Sequence, residues 1–151
     1  MILICYDGSD SAKHALTVAH ETLGDRPVTL MHVWSPPQRV LPDAFSDASR
    51  AKPSIVELEG FALERAQQIV QGGCALADEL GLEATPRVEQ SPPDTPVWRT
   101  IIDVAADVDA DVIVTGTHGA TAMRPALLGS VSSGVAHHSE RPVLIVPTAS
   151  D

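Results

Sequence analysis

At 151 residues, the chain is long enough for one domain to bury a core without a metal or disulfide staple. Its formal charge of −10, with only two lysines (Lys13 and Lys52) and its arginines scattered, argues against nucleic acid as a partner, because phosphate backbones demand clustered cations. Cys5 and Cys74 form no C-x-x-C pair or metal spacing, no apolar run approaches membrane-spanning length, and the chain opens directly on a strand-like run; the expectation is a cytoplasmic protein, away from membranes, with two reduced thiols.

Ile2 to Tyr6 is a short apolar run bounded by Asp7-Gly8-Ser9, which suits a strand buried on both faces. Ser9 or Asp10 then caps a helix whose apolar positions Ala12, Ala15, Leu16, Ala19 and Leu23 recur at helical spacing, and Gly24 stops it. Val28 to Trp34 is a second strand. Pro36, Pro37 and Pro42 lead into Asp43 to Pro53, which has no clean period; connections as long as 35–53 are usually lids, binding loops or disordered. Ile55 to Leu80 reads as a long helix with Leu58, Phe61, Ala62, Ala66, Ile69, Val70, Leu76 and Leu80 along one side. Gly72-Gly73 weakens its middle and marks a candidate kink, and Gly81 closes it.

Leu82 to Glu89 reads as an edge-like strand carrying Pro86. After Pro92-Pro93, Thr95 is placed to cap a helix from Pro96 to about Val108. Asp111 to Thr115 and Val143 to Val146 are the fourth and fifth strands. Strands alternating with helices, each strand short and continuously apolar, predict one α/β domain over 1–151 built on a parallel sheet with right-handed crossovers. No repeat or second domain is visible.

The fourth strand runs into Gly116-Thr117-His118-Gly119, then nine residues, then Gly129-Ser130 at the head of a helical stretch, Val131 to His138. A glycine turn at a strand end lets backbone approach a bulky anion, and a Gly-Ser step opening a helix offers N–H groups, a hydroxyl and the positive helix end. This G-x2-G-x9-G-S spacing is neither the G-x4-G-K-[ST] of a P-loop nor the dinucleotide G-x-G-x-x-G. It resembles the ATP-binding signature of the universal stress protein family. The resemblance extends over nearly the whole chain: Met1 to Ser9 ending in Asp-Gly-Ser, Val28 to Val33 ending in His-Val, Leu127 to Val131, and Arg141 to Pro147, all in the family's order.

The resemblance implies a Rossmann-like open sheet of strand order 3-2-1-4-5 with helices on both faces, and a nucleotide at the switch point between the strands ending at Asp7 and Gly116. ATP, with magnesium, would then contact Cys5, Tyr6 and Asp7, the backbone of Val33 at the adenine edge, Thr115, Gly116, His118, Gly119, Arg124, Gly129, Ser130, Val131 and Ser132. For several of these a plainer role stays open. Asp7 suits ribose hydroxyls or magnesium, or is a turn residue; Gly116 and Gly119 admit phosphate or serve the turn itself. Ser130 and Ser132 hold phosphate oxygens, or Ser130 is an ordinary helix cap. His118 faces the phosphates or stands in solvent, and Arg124 pairs with the polyphosphate or solvates its loop. His32 is read as a strand-end histidine outside the site, and His137-His138 as helix-end histidines that point about 100° apart.

No P-loop lysine, nucleophile elbow or clustered cation is present to drive fast phosphoryl transfer. The reading is therefore an ATP-binding stress protein whose nucleotide is a regulatory ligand. A slow ATPase or self-phosphorylating protein using Ser130 or Ser132, and a nucleotide-free dimeric interaction module, are the alternatives. Val143-Leu144-Ile145-Val146 belongs at a sheet edge in the resembled order, and an apolar edge bracketed by Pro142 and Pro147 predicts a homodimer paired through this strand.

Overall fold

The computed structural model describes residues 1–36, 54–117 and 128–148. Among these residues five strands, β1 (Ile2–Cys5), β2 (Val28–Trp34), β3 (Ala84–Gln90), β4 (Val112–Gly116) and β5 (Val143–Val146), alternate with four helices, α1 (Asp10–Leu23), α2 (Ile55–Glu79), α3 (Val97–Asp107) and α4 (Ser130–His138). All strand pairs are parallel and the order is β3-β2-β1-β4-β5. This is the expected Rossmann-like arrangement.

Handedness decides which face each helix covers. The path β1-α1-β2-α2-β3 steps one way along the sheet, and β4-α4-β5 steps the other. With right-handed crossovers, reversal of direction places the helices on opposite faces. The pleat then sorts side chains by parity. Ile2, Ile4, Tyr6, Val28 and Leu30 pack with Ala12, Ala15 and Leu16 of α1 and with Ala66, Val70 and Ala77 of α2. Leu3, Met31 and Ile113 pack with Ile101, Val104 and Ala105 of α3 and Val135 of α4. Two cores share one sheet, which explains why the inner strands are continuously apolar.

Local signals account for most boundaries. Ser9 is the N-cap of α1, its hydroxyl accepting from Ala12 N at 3.2 Å, and Gly24 ends the helix at φ 73°. Ser54 and Glu57 form a reciprocal capping box at the start of α2. Two expectations are corrected. Pro96, not Thr95, is the N-cap of α3 and makes no side-chain cap hydrogen bond, while the Thr95 carbonyl accepts from Ser91 Oγ at 2.8 Å. Phe61 is not on the buried side of α2; it is 63% exposed, and the buried positions begin only at Ala66 and include Ala77. α2 runs as one helix through the glycine pair.

Gly73 has a different purpose. A Cβ there would lie 2.5 Å from Leu30 Cδ2 and 2.8 Å from Tyr6 Cε1, so its absence lets α2 lie directly on β2 and the Tyr6 ring. Gly72 meets nothing within 4 Å. Gly73→Val should therefore destabilise by about 1–3 kcal/mol or more through overpacking. Gly72→Ala should stabilise by about 0.5–1 kcal/mol through helix propensity. Chemical denaturation of the two variants checks the contrast, and equal effects would contradict it.

Candidate functional site

The strand order reverses between β1 and β4, so the carboxyl ends of these strands part and leave a crevice. Backbone hydrogen bonds define its walls. β2 exchanges its even-numbered backbone groups with β3, from Val28 N donating to Glu83 O at 3.0 Å to Ser91 N donating to Trp34 O at 2.8 Å, so its odd-numbered groups turn toward β1. Pairing on that side ends with Tyr6 N donating to Met31 O at 2.8 Å. The next acceptor, the Tyr6 carbonyl, is taken by Nδ1–H of His32 at 2.8 Å. The N–H and C=O of Val33 therefore point into the space where β1 pairing has ceased. His32, left outside the site on sequence, is what separates the two strands here.

A similar device operates on the other side. The Gly116 carbonyl, last in β4, accepts from Ser132 Oγ at 2.6 Å and from Thr115 Oγ1 at 3.1 Å. Ser132 is 4% exposed, so its hydroxyl anchors α4 to β4 from within the core. Thr117 N donates to Val146 O at 3.0 Å, and Gly129 N donates back to Thr117 O at 2.8 Å. The two ends of the glycine-bounded segment thus meet beside the end of β4. His118, Gly119 and Arg124, like most of the 35–53 connection, lie outside the described residues.

α4 begins with Gly129 as N-cap, without a side-chain cap, and its first backbone bond is Ser133 N to Gly129 O at 2.9 Å. The N–H groups of Ser130, Val131 and Ser132 precede that bond, at the positive end of the helix and next to the crevice. Such an end accepts an anion with no further device.

Gly116 is needed for a neighbour as much as for a ligand. A Cβ would overlap Ser11 Oγ and lie 3.3 Å from the Ser11 carbonyl oxygen, so the first turn of α1 rests on bare backbone. Ser11 is 5% exposed and its hydroxyl has no hydrogen-bond partner among the described residues. It was not picked out by sequence, since a serine two residues after an N-cap carries no signal of burial.

The floor of the crevice is formed by the end of β1. Asp7 accepts at Oδ1 from Ser9 N at 3.0 Å and Ser9 Oγ at 2.5 Å, which fixes the carboxylate at the strand end. Cys5 packs toward the α3/α4 core together with Val33 and Val131. Although the residue keeps an accessible edge, burial pushes its thiol from the ordinary 9.0 up to about 12, and the Asp7 charge adds to this. Burial also raises Tyr6, opposed by Lys13 and assisted by Asp7 and Asp10. A neutral thiol at this depth is a packing group rather than a nucleophile. Among the described residues no cluster of three or more His, Cys, Asp or Glu side chains is gathered as for a metal ion, and no helix is long and apolar enough to cross a membrane.

Fold and crevice together define an open parallel α/β protein with an uncapped helix start at its switch point. The model of the universal stress protein family matches residues 1–147, and the chain belongs to that family. A universal stress protein of Thermus aquaticus is 31% identical over 96% of this chain and 96% of its own length. One of Mycolicibacterium smegmatis is 32% identical over 96% of this chain, which spans only 47% of that relative. Among solved structures, the Archaeoglobus fulgidus universal stress protein in complex with dAMP superposes with a TM-score of 0.65 at 23% identity, covering 95% of this chain and 94% of the other. An Arabidopsis thaliana family protein with AMP bound gives 0.67 at 16% identity, covering 99% and 92%.

The raised Cys5 thiol makes a pH prediction. The unfolded thiol ionises near its ordinary 9.0 and the native one near 12, so the native state holds this proton more tightly. The corresponding stability is complete below pH 9 and is withdrawn as pH rises toward 12. Cys5→Ala should lose stability less steeply than the parent between about pH 8 and about pH 10.5 in denaturant melts. Parallel losses would mean that the thiol is not desolvated.

Proposed function

We infer that this universal stress protein binds ATP, carrying magnesium on its phosphates, as a regulatory ligand at the switch-point crevice. One observation carries the reading: the N–H groups of Ser130, Val131 and Ser132 open α4 without a side-chain cap, beside the parted ends of β1 and β4. Phosphates meet these N–H groups and pass over Gly116 and Gly119 to Gly129. In this assignment His118 and Arg124 flank the phosphates, and Ser130 adds its hydroxyl. Thr115 braces the wall behind Gly116, and Ser132 contributes its N–H while its hydroxyl anchors the helix. The Asp7 carboxylate receives ribose hydroxyls above Cys5 and Tyr6, and the Val33 backbone meets the adenine edge. The adenine nucleotides named for the Archaeoglobus and Arabidopsis proteins support an adenine ligand.

The net charge of −10 gives a polyanion no long-range attraction, so binding rests on these local dipoles and on the metal the nucleotide brings. The protein works in the cytoplasm in this reading. Cys5 packs on one sheet face and Cys74 on the other, so the two thiols stay unbridged.

At a hundred times its dissociation constant, ATP with magnesium should stabilise the fold by about 2.7 kcal/mol, seen as a raised melting temperature. Gly129→Val should abolish the shift while leaving the circular dichroism spectrum of the parent, because its branched side chain occupies the phosphate position. A full shift in that variant would mean that phosphates bind elsewhere.

The same chain forms a homodimer through β5 in this reading. β5 is an edge strand on which Val143, Leu144 and Ile145 remain half-buried, which supports pairing with a second copy. Light scattering should return twice the chain mass, and Ile145→Lys should move it toward monomer. A monomeric parent at high concentration would refute the pairing.

A further inference from the structure

The phosphate-facing end of α4 takes its direction from a residue on another helix. α4 has nine residues and begins at a glycine with no side-chain cap. A helix this short is marginal by itself, so packing fixes its orientation. Two of its positions grip the Trp98 indole. At Gly134 a Cβ would overlap Trp98 Cδ1 and Cγ and lie 2.8 Å from Nε1, so the ring fills the space that a side chain would take. One turn later the His138 imidazole stacks on the same indole, with centroids 4.3 Å apart and planes inclined by 12°.

Residues i and i+4 share one helix face. The indole is therefore held at two heights, which sets both the rotation of α4 about its axis and its position along it. Ser132, about 200° around the helix from Gly134, holds the other side through its 2.6 Å bond to the Gly116 carbonyl. Trp98 itself stands on firm ground. It lies in the first turn of α3, whose Ile101, Val104 and Ala105 are buried, and whose Asp107 pairs with Arg87 of β3 at 2.8 Å.

We propose that Trp98 is a positioning residue for the phosphates: through Gly134 and His138 it sets where the N–H groups of Ser130 and Val131 point, without touching the nucleotide. Gly134 lies about 6 Å along the axis from Ser130, so a small rotation at the indole is carried to the helix end. The proposal rests on the nucleotide reading above and sharpens it. Asp7 and the Val33 backbone, assigned to the nucleoside, stand at the ends of β1 and β2; Val33 packs its side chain in the same cluster as Val131 and Trp98, but its backbone is set by pairing within the sheet. Trp98 thus acts chiefly on the phosphate half of the site.

Calorimetric titration of the full chain with magnesium ATP and with adenosine separates the halves. The parent should bind ATP more tightly than adenosine. Trp98→Ala should weaken ATP by about tenfold, the scale of one or two misaimed helix-end contacts, and change adenosine by less than about twofold. Trp98→Phe, which keeps a ring between Gly134 and His138, should recover most of the ATP affinity. Gly134→Ala removes no side chain but displaces the indole, and should reproduce the ATP-selective loss; it decides the matter if Trp98→Ala fails to fold. Equal losses for ATP and adenosine, unchanged ATP binding in the folded variants, or a parent with no preference for ATP over adenosine would overturn the proposal. A parent that binds neither ligand overturns the nucleotide reading itself.

Discussion

The geometry of this protein follows from the handedness of its crossovers. A parallel strand connection through a helix packs back onto the sheet in only one sense, so a chain that travels one way from β1 to β3 and the other way from β3 to β5 must place α1 and α2 on one face and α3 and α4 on the other. That same reversal parts the carboxyl ends of β1 and β4. The two cores and the crevice are therefore one consequence of a single topological event, and the site cannot be moved without changing the strand order.

What shapes the crevice is the way the ladders stop. On one side the Tyr6 carbonyl accepts from a His32 side chain, and on the other the Gly116 carbonyl accepts from Ser132. Each substitution of a side-chain donor for a strand neighbour satisfies a buried acceptor that would otherwise cost about 1–3 kcal/mol. It also leaves the next backbone groups, those of Val33 and of the first turn of α4, turned toward the opening. Stability and the shape of the crevice thus arise from the same hydrogen bonds. Close approach of elements completes the frame: α2 on Tyr6 at Gly73, α1 on β4 at Gly116, and α4 on Trp98 at Gly134.

Much of this was legible in sequence because the signals are local. Ser9 and Gly24 bound α1 for reasons contained within a few residues, and the apolar runs of β1, β2 and β4 needed no partner to be seen. Errors arose where the deciding contact comes from far along the chain. Phe61 fits the helical period of α2, yet no residue between Ile55 and Arg65 is buried, and periodicity cannot tell how far a helix has tertiary support. Thr95 has a capping side chain, but its neighbour Pro96 already has the extended N-cap backbone, and the Thr95 carbonyl is drawn to Ser91.

The sequence by itself determined the alternation of strands and helices, the parallel class of the sheet and the glycine-marked helix start, since hydrophobic period, capping and turn chemistry all act within one or two turns of chain. Tertiary structure alone decided the purpose of particular residues. Gly73 reads as a weak point of its helix and is a seat for Tyr6; His138 reads as a helix-end histidine and is half of a grip on Trp98; His32 reads as a strand-end histidine and stands at the crevice, and Ser11, which nothing in the sequence marks, lies beneath Gly116. In each case the partner lies on another element. Which side chain fills the space above a glycine, or which donor ends a ladder, is fixed only when the chain closes on itself and excluded volume and unsatisfied backbone groups select among distant candidates.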